Sequence, residues 1–245
     1  MKYEIGVALI HTSYFILHIS HFIFHILMPY DLQLTTLVSR LTTLIAKIVS
    51  YVLHPLFIPT YVFMYLVHQF PYEFAGITDW QLKMKIFSVF WMTAFFPAFA
   101  VFLLWKLQFS DSIFLRTQKE RIIPYFISMF FYWWMYYLSR TFTDQPAVLK
   151  FFYFGIFAAT CFGVFINNYI KISLHGIAMG GAMAAIIMFA FIYQAATGYA
   201  ITAVVLLTGV VCTARFLVSN HTKLEIYSGV LLGVVCQFIG YWFVS

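Results

Sequence analysis

The sequence predicts an all-α protein, a polytopic transmembrane helical bundle of about seven to eight spans, and three observations carry that expectation. Of 245 residues, 63% are hydrophobic and only 9% are charged, and the mean hydropathy is +0.90. That is too apolar for a water-soluble core. The apolar residues gather in runs near the roughly 20 residues that a bilayer crossing needs. Phe, Trp and Tyr make up 22%, and many stand at the ends of those runs, where amphipathic rings settle at headgroup level. No strand-like alternation appears.

The first run is Ile5 to Met28. His11, His18, His21 and His25 form a stripe on it, read as an interfacial or partner-facing surface, because a metal site needs convergent ligands and supporting hydrogen bonds that one stripe does not supply. Residues 1–40 are taken as this His-bearing helix with its linker, and residues 41–245 as the membrane-embedded bundle. Leu41 to His68 reads as a second span, kinked by His54-Pro55 and Pro59. Ile86 to Trp105 is a third, with Pro97 inside. The polar stretch Lys106 to Arg121 follows and closes with Pro124 at an expected helix start.

A short aromatic run, Tyr125 to Leu138, then pairs with Ala147 to Tyr169. Gly176, Gly180 and Ala184 make a small-residue seam in the next run, and Gly229 and Gly233 make a second seam after Ile226, each suited to close helix packing. Tyr199 to Val211 lies between them. Cys161, Cys212 and Cys236 sit inside apolar runs and read as small core residues. The formal net charge of +6 comes without a basic run, which favours anionic headgroups or phosphates over nucleic acid.

Three polar knots interrupt this apolar chain, and intramembrane charge is costly enough to suggest function. The last runs from Ala214 to Glu225. On a helix His221 and Glu225 would share a face, so that the carboxylate holds one ring nitrogen and frees the other. Thr222 and Glu225 equally form a capping box, and Arg215 could snorkel. The middle knot contains Lys171, Ser173 and His175, where Ser173 is either a helix cap or a phosphate contact. The first holds Arg116, Lys119, Glu120 and Arg121. An even number of crossings separates the knots, so all three are expected at one end of the bundle. Away from the knots, Lys2, Lys83, Lys85, Arg140 and Lys150 outnumber Arg40, Lys47 and Lys106 on the opposite side. By the positive-inside rule this puts the knots outside, on the periplasmic face if the membrane is a bacterial inner membrane.

These residues resemble the type 2 phosphatidic acid phosphatases, from roughly Arg116 onward. The family's signatures are Lys followed by Arg-Pro; Pro-Ser-Gly-His; and Ser-Arg, five residues, His, three residues, Asp. Here they stand as Arg116, Lys119 and Arg121 with Pro124; Ser173-Leu174-His175; and Ala214-Arg215, His221, Glu225. The resemblance implies an integral membrane hydrolase that removes phosphate from a lipid phosphate or pyrophosphate without metal or cofactor. It implies that His221 becomes a phosphohistidine, Glu225 orients it, and His175 serves as acid and then base. Arg215, Arg121, Lys119 or Arg116, and Ser173 would hold the phosphate. Ile172, Leu174, Ala214 and Glu225 replace the family's Pro, Gly, Ser and Asp. Those departures suggest a rival reading, a catalytically inactive lipid-phosphate binder or transporter. A structural subunit that docks a partner through the first helix is a third.

Overall fold

The computed structural model of the protein describes residues 34–109, 117–142 and 144–244. The histidine stripe of the first run and Arg116 lie outside the described residues. The chain divides into two units, residues 1–45 and residues 46–245. Every regular element among the described residues is helical. The first unit contributes helix from residue 34, and all that follows concerns the second.

Residues 46–52 are helical (α1). The chain then breaks over residues 53–57 and resumes as α2, Ile58–Gln69. The expected single span from Leu41 to His68 is therefore two helices. Pro55 has no N–H to donate and its ring clashes with the preceding turn, and the chain turns instead, with the Phe57 amide donating to the His54 carbonyl at 2.9 Å. At 12 residues, α2 is about 18 Å long, too short to cross alone.

Helices α3, Asp79–Phe90, and α4, Phe96–Lys106, are joined by a π-helical turn, Trp91–Phe95. Pro97 cannot donate to the carbonyl four residues back, and widening the turn before it relieves that conflict. Helix α5 spans Gln118–Thr141 and starts six residues before Pro124, not at it. The start is set by a reciprocal capping box: Glu120 N–H donates to Thr117 Oγ1 at 3.3 Å and Thr117 N–H to Glu120 Oε2 at 2.9 Å. Pro124 lies inside this helix, at its seventh residue.

Helices α6, Val148–Asn167, α7, Leu174–Ile192, α8, Gly198–Val218, and α9, Lys223–Val244, complete the unit. Among the described residues five segments are long and apolar enough to cross a membrane: Asp79–Lys106 and these last four helices. The protein is an integral membrane protein by that measure.

The two small-residue seams face each other. A Cβ on Gly176 would stand 2.6 Å from the Ile226 carbonyl oxygen, and one on Gly229 would stand 2.7 Å from that of Ser173. The α7 and α9 backbones therefore approach more closely than side chains allow elsewhere. Gly180 packs the same way on the Val230 carbonyl. Gly180→Leu is expected to force the pair apart at a cost of about 3 kcal/mol, read as a lowered unfolding midpoint in detergent. The seam matters because it fixes the starts of α7 and α9, where two of the polar knots sit.

Candidate active site

The approach to α9 resolves the two readings of Glu225. One carboxylate oxygen, Oε2, takes Thr222 N–H at 2.9 Å and His221 Nδ1 at 3.0 Å, while Glu225 N–H donates to Thr222 Oγ1 at 3.3 Å. It is cap and imidazole partner at once. His221 itself is not helical as expected; it stands in the link before Lys223, where the cap carboxylate reaches back to it. A carboxylate only accepts, so Nδ1 carries the proton and Nε2 keeps its lone pair toward the cavity that His221 lines. The His221 side chain is 4% exposed.

At the head of α7, Ser173 is fully buried and its hydroxyl accepts the Gly176 N–H at 3.3 Å. It is a cap and does not line the cavity. Its own N–H donates to the Glu225 carbonyl at 3.0 Å, which ties the α7 start to the α9 start. Two residues on, His175 Nε2 donates to the Ser50 carbonyl at 3.0 Å. A carbonyl acceptor again fixes the tautomer, so the lone pair is on Nδ1.

Arg121 reaches from the first turn of α5 and donates through Nη1 to the Ile172 carbonyl at 3.3 Å. The α5 start is also held by Asn167, whose Nδ2 donates to the Gln118 carbonyl at 3.0 Å. Arg215, in the last turn of α8, has a buried Nε with no hydrogen-bond partner among the described residues. An unpaired guanidinium N–H inside the protein points to an acceptor brought by a ligand.

These groups surround one cavity of about 880 Å³. His175, His221, Arg121 and Arg215 all line it, so the structure brings together residues from all three polar knots. Lys119 does not join them; it is exposed on the far side of the first turn of α5. Lys171, present in the middle knot but given no role from sequence, lines the cavity with them. So does His54, left without chemistry by the sequence reading. Its ring lies 5.4 Å from that of His175, at 81°, and its Nδ1 accepts the Leu56 N–H at 3.4 Å, which leaves Nε2 as an N–H donor. Lys47, Ser50 and Tyr51 share one face of α1 and, with His54 in the break that follows it, line the cavity.

The charge balance of the lining is one-sided. It carries Lys47, Arg121, Lys171 and Arg215, and no Asp or Glu among the described residues. At the mouth, burial lowers the Lys171 pKa, Arg121 and Arg215 push the same way, and Glu225 opposes them. Burial is also the largest influence on His221 and holds it below the ordinary imidazole range; the Glu225 hydrogen bond opposes this, and Arg121 and Arg215 reinforce it. Among the described residues no three His, Cys, Asp or Glu side chains form a metal-binding group.

The His221 shift has a signed consequence. A nucleophilic imidazole must be neutral, and it is neutral above its pKa. For a His221 that acts as the nucleophile the family resemblance implies, the depressed pKa puts the acid limb of kcat/KM against pH below the ordinary value of about 6.5, as a pH profile on a soluble phosphate ester would register. An acid limb above that value would contradict the assignment of His221.

Compared with known proteins, the chain matches no family model, no curated protein and no solved structure.

Proposed function

We propose that this protein is an integral membrane phosphatase that hydrolyses a lipid phosphate or pyrophosphate through a phosphohistidine at His221, as a divergent relative of the type 2 phosphatidic acid phosphatases. The observation that carries the reading is the cavity itself: four cationic side chains, three imidazoles and no carboxylate lining one space. Such a lining stabilises a multiply charged anion, and phosphoryl transfer depends mainly on positioning and positive charge around the transferred group.

In the first step His221 Nε2 attacks phosphorus as the bond to the lipid oxygen breaks. His175, having taken up a proton at Nδ1 with the incoming phosphate, passes it to the departing alkoxide. Glu225 stabilises the charged His221 ring. In the second step water attacks the phosphohistidine, His175 Nδ1 takes the water's proton, and inorganic phosphate leaves with His221 neutral again. Arg121, Arg215 and Lys171 hold the phosphate oxygens, with His54 Nε2–H as a further donor. Lys171 takes the place that the sequence reading gave to Lys119, and Ser173 acts by positioning.

The reading includes a bundle of seven to eight spans with the site toward the outer leaflet, on the periplasmic side of a bacterial inner membrane. Its partners are the lipid substrate and the surrounding lipids. The test is phosphate release by purified protein, without added metal, from a panel of lipid mono- and diphosphates. Turnover of at least one, lost in Arg215→Ala, is the expected result. No release from any of them, with binding retained, would replace the phosphatase by a lipid-phosphate binder.

A further inference from the structure

The anion cluster occupies only one end of the cavity. Below it the walls turn apolar, with Pro97, Val101, Phe152, Ile156, Ala159 and Ile177 drawn from α4, α5's neighbour α6, and α7. The space continues to Gln237 of α9, fourteen residues beyond Lys223 and so about 20 Å along the helix from the His221 end. An inorganic anion needs none of this depth.

Beyond the cations, two polar side chains of the lining have buried atoms without hydrogen-bond partners among the described residues. Gln237 is 1% exposed, and its Oε1 has no hydrogen bond. Its Nε2 donates at 3.5 Å to the Phe152 carbonyl, at the limit of such a bond. Tyr125 is 3% exposed, and its hydroxyl is likewise unpartnered. Both residues line the cavity. Orphaned polar atoms this deep are costly in a bundle that must satisfy its polar groups internally. The space around Gln237 is kept by glycine: a Cβ on Gly155 would stand 2.7 Å from its amide.

We infer that the cavity is a tail chamber, in which one hydrocarbon chain of a lipid phosphate threads between α5, α6, α7 and α9 toward Gln237 while the phosphate sits among the cations. The ligand is a single-chain amphiphile or one that inserts only one of its chains. This rests on the lipid-phosphate reading of the site but not on its chemistry. The chamber fits a chain that ends short of Gln237, whose unpaired oxygen offers a hydrocarbon nothing.

The experiment uses the full chain in nanodiscs and a non-hydrolysable alkyl phosphonate with a diazirine at the end of its chain, photolysed and mapped by mass spectrometry. Insertion into Ile156, Tyr132 or Gln237 is expected, and an excess of unlabelled alkyl phosphonate should suppress it. Insertion at outward-facing Phe130, Phe162 or Phe238 would overturn the chamber and put the chain in the bilayer. Absence of insertion at any site would overturn it as well. Interior labelling in a protein that releases no phosphate from any lipid would keep the chamber and remove the phosphatase.

Discussion

His221→Ala is expected to abolish phosphate release, by on the order of 10⁴-fold or more where the nucleophile acts in concert with its partners, with little effect on folding. The structural cost is small because His221 lies in the link before α9 and, among the described residues, its hydrogen bond is to Glu225. The cap is made by Thr222 and Glu225 and survives the substitution. Turnover on a lipid phosphate, read beside a thermal unfolding curve, separates the two effects. A variant that folds and turns over at the parental rate would remove His221 from the chemistry.

Glu225→Gln is the second large effect, and it separates two roles that one oxygen performs. Glutamine also serves at the third position of a capping box, so α9 should still start at Lys223 and the unfolding midpoint should move little. The imidazole loses its anionic acceptor. Nδ1 can then be met by an amide N–H, which stabilises the wrong tautomer and puts the proton on Nε2, where the lone pair is needed. Losing the carboxylate from a comparable histidine in serine proteases costs about 10⁴-fold, and a fall of about 10²- to 10⁴-fold in kcat is expected here. Since Glu225 also raises the His221 pKa, the acid limb of the rate profile should move lower still. A stable variant with unchanged kcat would leave Glu225 as a cap only.

Periodicity makes much of the fold legible in the sequence. The apolar runs from Ile86 onward correspond to helices, and the glycine seams of α7 and α9 meet because Cβ atoms at Gly176 and Gly229 would collide with opposing carbonyls. What length and hydropathy do not encode is where a proline acts. Pro55 ends a helix, Pro97 widens a turn, and Pro124 sits inside α5 because a capping box at Thr117 starts that helix earlier. In the site, the three polar knots were visible because charge is scarce in this chain. His54 was not, since a lone histidine beside a proline in an apolar run has no local signature; only the turn that Pro55 imposes brings it to His175. Lys171 and Lys119 were indistinguishable in sequence, and side-chain direction in space separates them. Glu225 appeared to need one of two roles, and a carboxylate oxygen with two lone pairs fills both.

The central claim is that His221 forms a covalent bond to phosphorus, and rapid quench tests it most directly. Protein mixed with a lipid phosphate labelled on phosphorus, stopped in alkali within milliseconds and digested, should yield an acid-labile, alkali-stable phosphohistidine on the peptide that holds His221. The adduct should be lost in His221→Ala, and in His175→Gln it should both form and clear more slowly. A label on any other residue, or turnover in which no phosphorylated protein forms at any time point, would contradict the account.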